Sequence, residues 1–375
     1  MFKIVLLIIG ALIGAGFASG QEIYLFFYSY GVEGIYGLMI SSILFGIIIY
    51  KSLKIIIEKD IKNYDEFLES ILFNKKYDKK NKEKNKEKNK EKNKEKNKIL
   101  LFIKAMIKIF MLITYYIMIA GFGSYLEESI NINKIIGGII LITIVIYIIS
   151  KNIKGILKIS EIIVPILIIF ILLLGILNIC NFKELNTYII KVNNTNWIVS
   201  SILYVSYNSL LIIPILISIK EIINKKKIGY ISALISLIIF ILGISIFISM
   251  ARINVDIKML EMPIAYIVNA RYGKLKIFYG VTILLSILTT AISIGNGLIE
   301  ENEKEFKNEN KIKKEKNVKK EKIIGLIIIS FIGIFVAQIG FSKLINILYP
   351  IYGYLGILIF SGLFWDALQK DHLKY

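Results

Sequence analysis

The sequence predicts an all-α, multi-pass membrane protein, and three observations carry that prediction. Of 375 residues, 56% are hydrophobic, and the mean hydropathy is +0.67. A soluble domain needs more polar cover than this. The formal charge of +19 is gathered into short blocks between long runs of Ile, Leu, Phe and Tyr. Those runs reach the roughly 20 residues that a helix needs to cross the hydrocarbon of a bilayer.

Ten segments qualify as spans, at roughly 3–29, 34–57, 99–125, 134–150, 157–178, 197–220, 228–251, 274–299, 323–341 and 343–366. The first follows Lys3 and stays apolar through Tyr24-Leu25-Phe26-Phe27-Tyr28, well past the length of a signal-peptide core. The second closes on the basic stretch from Lys51 to Lys98. Within that stretch, Lys75 to Lys98 becomes a four-residue Asn-Lys-Glu-Lys repeat from Asn81 onward, with no apolar face to bury. It reads as a simple-sequence insertion in a cytoplasmic loop, with contact to anionic lipid as the alternative. Between spans seven and eight, the short apolar stretch from Pro263 to Val268 predicts a helix lying over the outer face.

Lysine placement sets the orientation. The loops after even-numbered spans hold Lys51 to Lys98, then Lys151, Lys154 and Lys158, then Lys220 with Lys225 to Lys227, then Lys304 to Lys322. The loops after odd-numbered spans, from Ser29 to Glu33, from Leu126 to Asn133 and from Asn178 to Asn196, are lysine-poor. An exception carries Arg252, Lys258, Arg271 and Lys274, partly balanced by Asp256 and Glu261. The positive-inside rule places both termini in the cytoplasm. The expected address is the bacterial inner membrane, with lipid and a small solute as partners and the oligomeric state open. No basic stretch is interleaved with stacking aromatics, which argues against nucleic acid.

An odd number of spans in each half inverts the second half relative to the first. The predicted organisation is therefore a five-plus-five inverted repeat. Residues 1–178 hold the first five helices and a lysine-rich cytoplasmic insert at 59–98; residues 179–366 hold the second five, and 367–375 form a cytoplasmic tail. Breaks are expected in helices one and six. In the first span, Gly14-Ala15-Gly16-Phe17-Ala18-Ser19-Gly20-Gln21-Glu22 interrupts the apolar run. Lipid offers loosened backbone no partners, so such a stretch needs protein around it or a wet cavity beside it. In the sixth, Ser206-Tyr207-Asn208-Ser209 precedes Pro214, whose missing N–H frees a carbonyl. Paired interruptions in corresponding spans point to a midplane binding site.

At the first break, Gly14, Gly16 and Gly20 let the chain leave helical dihedrals, and a helix restarting near Ala18 would offer N–H groups to a carboxylate. Small-residue packing between helices is the competing account, though it leaves Ser19, Gln21 and Glu22 unexplained. Glu22 should face the bundle interior. There it is protonated, pairs with a cationic substrate or relays a proton; alternatively it is a vestibule carboxylate bonded to nearby N–H groups. Tyr204, Ser206, Tyr207, Asn208 and Ser209 gather hydroxyls and an amide at the second position, with ordinary interhelical bonding as the alternative. Thr289, Thr290 and Ser293 offer hydroxyls for Na⁺ or serve as packing glue. Lys158 and Glu161 form either a coupling pair or an interfacial ion pair. Cys180 rules out an intrachain disulfide and is expected to pack near a helix end, while His372 sits in the polar tail. No Walker loop, nucleophile elbow or zinc spacing is present, so no ATP-driven transport and no enzyme is expected.

The run from Gly14 to Glu22, together with Tyr204 to Pro214, resembles the YkvI-like bacterial membrane proteins, which are related to the amino acid–polyamine–organocation superfamily. The likeness covers most of the chain outside the lysine repeat. It implies a LeuT-like fold and a secondary transporter for an amino acid or related solute, held between spans one, three, six and eight, with Na⁺ or H⁺ as coupling ion and no other cofactor. A solute-sensing subunit of germinant-receptor type, which binds without translocating, is the alternative. The sixth span lacks the glycine common at that superfamily's second break.

Overall fold

A computed structural model describes residues 2–72, 90–150, 156–180, 195–253, 255–305 and 314–372. Residues 75–89 of the lysine repeat lie outside these. All regular structure among the described residues is helical. The first apolar stretch yields three pieces, α1 (Phe2–Leu12), α2 (Ala15–Ser19) and α3 (Gln21–Phe26), followed by a 3₁₀ turn at Tyr28–Tyr30. Next come α4 (Glu33–Glu58), α5 (Tyr64–Leu72), α6 (Lys90–Ile130), α7 (Lys134–Ser150) and α8 (Ile156–Cys180). The remainder comprises α9 (Trp197–Ser218), α10 (Ile228–Met250), α11 (Pro263–Arg271), α12 (Lys276–Glu305), α13 (Lys314–Ala337) and α14 (Phe341–His372).

Among the described residues, seven helices are long and apolar enough to cross a membrane: Glu33–Glu58, Lys98–Ile130, Ile162–Cys180, Trp197–Ser218, Lys225–Met250, Gly273–Gly295 and Phe341–Leu363. Lys134–Ser150 and Ile323–Ala337 are apolar but shorter, and the first stretch is divided by its break. Polar caps mark the starts that the apolar runs leave vague. Asn196 Oδ1 accepts from Ile198 N at 2.9 Å, and Asn133 Oδ1 accepts from Ile135 N at 2.9 Å. Proline in the first turn of α11 fits a position whose N–H has no intrahelical acceptor.

The outer faces are apolar, as lipid contact requires. On α4, Tyr36, Met39, Ile43, Ile47 and Tyr50 recur at helical spacing and are all exposed; on α13, Ile324, Ile328, Phe331 and Phe335 do the same. Exposed apolar stripes of this length belong against hydrocarbon rather than water. Inside, α9 packs along α14 and α4, α10 lies between α4 and α8, and α6 meets α7, α12 and α13.

Two expectations are corrected. The sixth span is not interrupted: α9 runs unbroken through Ser206, Tyr207, Asn208, Ser209 and Pro214. Asn208 Nδ2 donates to Tyr204 O at 3.0 Å and Ser209 Oγ to Val205 O at 2.7 Å, so these polar side chains fold back on their own helix. With no glycine in the stretch, nothing invites the backbone out of helical geometry. Cys180 is exposed at the end of α8 rather than packed. The 59–98 insert also contains an amphipathic helix, α5, whose Phe67, Leu68 and Ile71 are buried. It packs on α14, α6 and α9. The side chains of Lys158, Glu161 and His372 lie outside the described residues.

Candidate functional site

The break in the first stretch is built by its glycines. α1 ends at Leu12, and Ile13 N makes a last helical bond to Ile9 O at 2.8 Å. Gly14 is extended (φ −78°, ψ −176°), and the helix restarts at Ala15, three residues earlier than expected. Gly20 then turns the chain again with φ +89°, a left-handed geometry that only glycine adopts freely. Gly20 N donates to Phe17 O at 3.0 Å, which closes α2 before α3 begins.

Ala15, Gly16, Phe17, Ala18, Ser19, Gln21 and Glu22 are all buried, so protein surrounds this loosened backbone, as the absence of partners in lipid demands. Ser19 Oγ donates to Gly16 O at 3.0 Å and accepts from Gln21 N at 3.3 Å. Tyr279 of α12 donates to Ala18 O at 3.3 Å, and Ser200 of α9 donates to Phe26 O at 3.0 Å. Each neighbour thus supplies a bond that the broken segment cannot make internally.

Glu22 lies in the first turn of α3 with 4% of its surface exposed. Its Oε2 accepts from the hydroxyl of Tyr207 at 2.5 Å, a bond between the broken segment and α9. Its Oε1 lies against Gly16, where a Cβ would collide with it, so the carboxylate keeps this position only beside a glycine. Aromatic rings close the surroundings. Phe26 stacks on Tyr207 (5.5 Å between centroids), and Tyr349 of α14 lies 4.7 Å from Tyr207 on centroids. Tyr204 contacts Phe26, Phe27 and Phe45.

Gln21 ties the break to the loop before α11. Its Nε2 donates to Leu260 O at 2.5 Å and to Glu261 O at 3.1 Å, while its Oε1 is buried without a hydrogen-bond partner. Glu261 N donates to Glu128 Oε1 at 2.9 Å, and Glu261 Oε2 accepts from Ser342 N at 2.7 Å in the first turn of α14.

The expected residues therefore divide. Gly16, Glu22 and Tyr207 meet directly, and Tyr204 joins them through the aromatic cluster. Asn208 and Ser209 bond their own helix, and Ser206 packs against Gly356 of α14 with its Oγ unpaired. Thr289 and Thr290 both donate to Ser286 O, at 3.0 and 2.9 Å, and Ser293 is exposed; none bonds to the broken segment among the described residues. Two cavities, of about 400 and 430 Å³, are lined by Glu128, Leu260, Tyr266, Asn269 and Ala270, and by α8 and α12 residues such as Ile163 and Phe278. Neither is lined by a residue from 12–22.

Comparison with known proteins bears on this geometry. The chain is 24% identical over 363 residues to the uncharacterized membrane protein YkvI of Bacillus subtilis, covering 95% of this chain and 92% of YkvI. This chain is a multi-pass membrane protein homologous to YkvI. A second Bacillus subtilis relative, the uncharacterized protein YyaD, is 26% identical over 381 residues, covering 98% of this chain and 97% of YyaD. Among solved structures, a mutant manganese transporter of Eremococcus coleocola superposes with a TM-score of 0.53 at 12% identity, over 96% of this chain and 77% of the transporter. At that identity the likeness is one of fold. No protein-family profile matches the chain.

Three contributors to the site were missed from the sequence. Tyr349 stands next to Pro350 inside an apolar run, a signal that was open to reading. Tyr279 and the Leu260–Glu261 carbonyls act across more than 230 residues of chain, and no local pattern announces them.

Proposed function

We propose that the protein is a secondary transporter that carries an amino acid or related small solute, coupled to Na⁺ or H⁺, across the bacterial cytoplasmic membrane. A membrane-protein homologue and a transporter fold support a membrane transporter in general, and a non-enzyme. The observation that carries the reading is the buried break at Ile13 to Gly20, with a carboxylate and an amide just beyond it. Discontinuous helices near the midplane are where transporters of inverted-repeat design bind their cargo.

The packing pattern supports the five-plus-five organisation. α4 meets α10, α6 meets α12 and α7 meets α13, so spans two, three and four each touch the span five places on. The broken segment likewise touches α9. Segment 2–26 and α9 would move against the remaining helices, opening the packed space around Glu22 and Tyr207 to each side in turn. Lysine distribution supports cytoplasmic termini.

The structural neighbour is a manganese transporter. In this chain, no group of three or more His, Cys, Asp or Glu suited to holding a metal occurs among the described residues. The Na⁺ option would require Thr289 and Thr290 to turn from Ser286 O, and exposed Ser293 to turn inward, towards the break.

The test is uptake of a radiolabelled amino-acid mixture into proteoliposomes under an imposed Na⁺ or H⁺ gradient. Accumulation is expected with the wild type. Gly16→Val is expected to abolish it while the protein still inserts, because the new side chain takes the space of the Glu22 carboxylate. Binding without accumulation would support a solute sensor instead, and undiminished uptake by Gly16→Val would remove the break from the mechanism.

A further inference from the structure

We infer that the coupling ion is a proton and that Glu22 is the group that carries it. This rests on the transport reading above and deepens it.

The argument starts from what surrounds the carboxylate. The ionisable groups facing it are tyrosines: Tyr204 and Tyr207 from α9, and Tyr349 from α14. Tyr24 is on α3 itself, and Tyr28 and Tyr30 follow in the 3₁₀ turn. α2 contributes no ionisable side chain, and α10 approaches this region with Met250 and Gly243. No lysine or arginine forms an ion pair with Glu22 among the described residues. A buried carboxylate with no cation beside it is costly, and taking up a proton removes that cost.

A metal ion fits this place poorly. Hard cations want several oxygen ligands converging on one point. Here Oε2 accepts a hydroxyl proton from Tyr207, Oε1 abuts the Cα side of Gly16, and aromatic rings fill the flanks. A proton needs only one oxygen and no added volume.

The position also supplies a means of coupling. Glu22 lies just past the left-handed turn at Gly20, and its partner Tyr207 lies on α9. Neutral Glu22 tolerates the closed, dry packing; charged Glu22 favours an arrangement that lets water in. Proton binding and closure therefore promote each other, and a solute that favours closure raises proton affinity in return. The carboxylate takes one proton from the side that is open and releases one to the other, with no other bond made or broken.

The experiment uses the full-length protein in lipid. Infrared difference spectra across a pH titration are expected to show the carbonyl stretch of a protonated acid that titrates in the wild type and is missing in E22Q. In proteoliposomes, accumulation of the labelled amino-acid mixture under a pH gradient is expected to fall about fivefold or more in E22Q, the lower end of ordinary coupling. Should E22Q not fold, Tyr207→Phe keeps the carboxyl and is expected to shift the midpoint of its band; an unmoved midpoint overturns the inference. A titrating band that persists in E22Q overturns it as well. A wild type driven by Na⁺ alone at constant pH overturns the proton assignment and leaves transport standing. A wild type that accumulates nothing under either gradient sinks the transport reading, and this inference with it.

Discussion

Segment 2–26 and α9 pack against each other, and both place polar side chains inside apolar stretches, yet only the first gives up its helix. Serine, asparagine and tyrosine in α9 satisfy themselves within it: Asn208 and Ser209 bond the carbonyls one turn back, and Tyr207 reaches outward to Glu22. In the first segment, Gly14 and Gly20 take backbone angles that end one helix and start the next. Polar residues in a span therefore report on partners, whereas glycines at the right spacing report on backbone shape. Even Pro214, which removes a donor, leaves α9 continuous with neighbouring helices around it.

The contrast is open to attack by mutation, beginning where the effect should be greatest. Gly20→Val must hold a β-branched residue at φ +89° and push into Met250 and Ile264, which lie 2.6 and 2.9 Å from the new Cβ. Left-handed strain of roughly 1–2 kcal/mol adds to an overpacking cost of similar size, so a loss of about 3 kcal/mol is expected in detergent unfolding. A variant as stable as wild type would show that the second turn of the break is dispensable. Next, Tyr207→Phe removes the only hydroxyl that joins α9 to Glu22 among the described residues, with an expected cost of about 2 kcal/mol. A thermal-unfolding shift no larger than that of an exposed control such as Tyr36→Phe would contradict it.

A smaller effect is expected when glycine is placed in the continuous helix. Asn208→Gly should cost about 1 kcal/mol, a few tenths from helix propensity and the rest from the lost bond to Tyr204 O, while hydrogen exchange stays slow on both sides of the substitution. Fast exchange from Tyr204 to Ile212 would mean that α9 is poised to break after all. Smallest is Thr289→Val, which loses a bond to its own helix and should cost about 0.6 kcal/mol. If uptake then lost its response to Na⁺, the hydroxyl would belong to an ion site rather than to packing.

The apolar runs made most helices legible. The expected 134–150 and 197–220 became Lys134–Ser150 and Trp197–Ser218, because runs of this length have one stable form in lipid. The helix over the outer face, expected at Pro263 to Val268, is α11. Gly14 and Gly20 signalled the first break, since backbone freedom is a local property. The second was misjudged because a cluster of Tyr, Ser and Asn was read as a loosened backbone when its bonds close within one turn. α5 escaped notice inside a lysine-rich stretch, although Phe67, Leu68 and Ile71 already traced a helical face. The partners of Glu22 and Gln21 depend on which helices touch, and hydrophobic periodicity is silent about that.

The amide of Gln21 has one more consequence. It clasps two consecutive peptide groups of a loop that also holds the end of α6, through Glu128, and the beginning of α14, through Ser342. Four distant stretches of the polypeptide thus share one latch above the break. No one of them can shift alone without abandoning a bond that ties it to another, so a displacement at any of the four is felt by the rest.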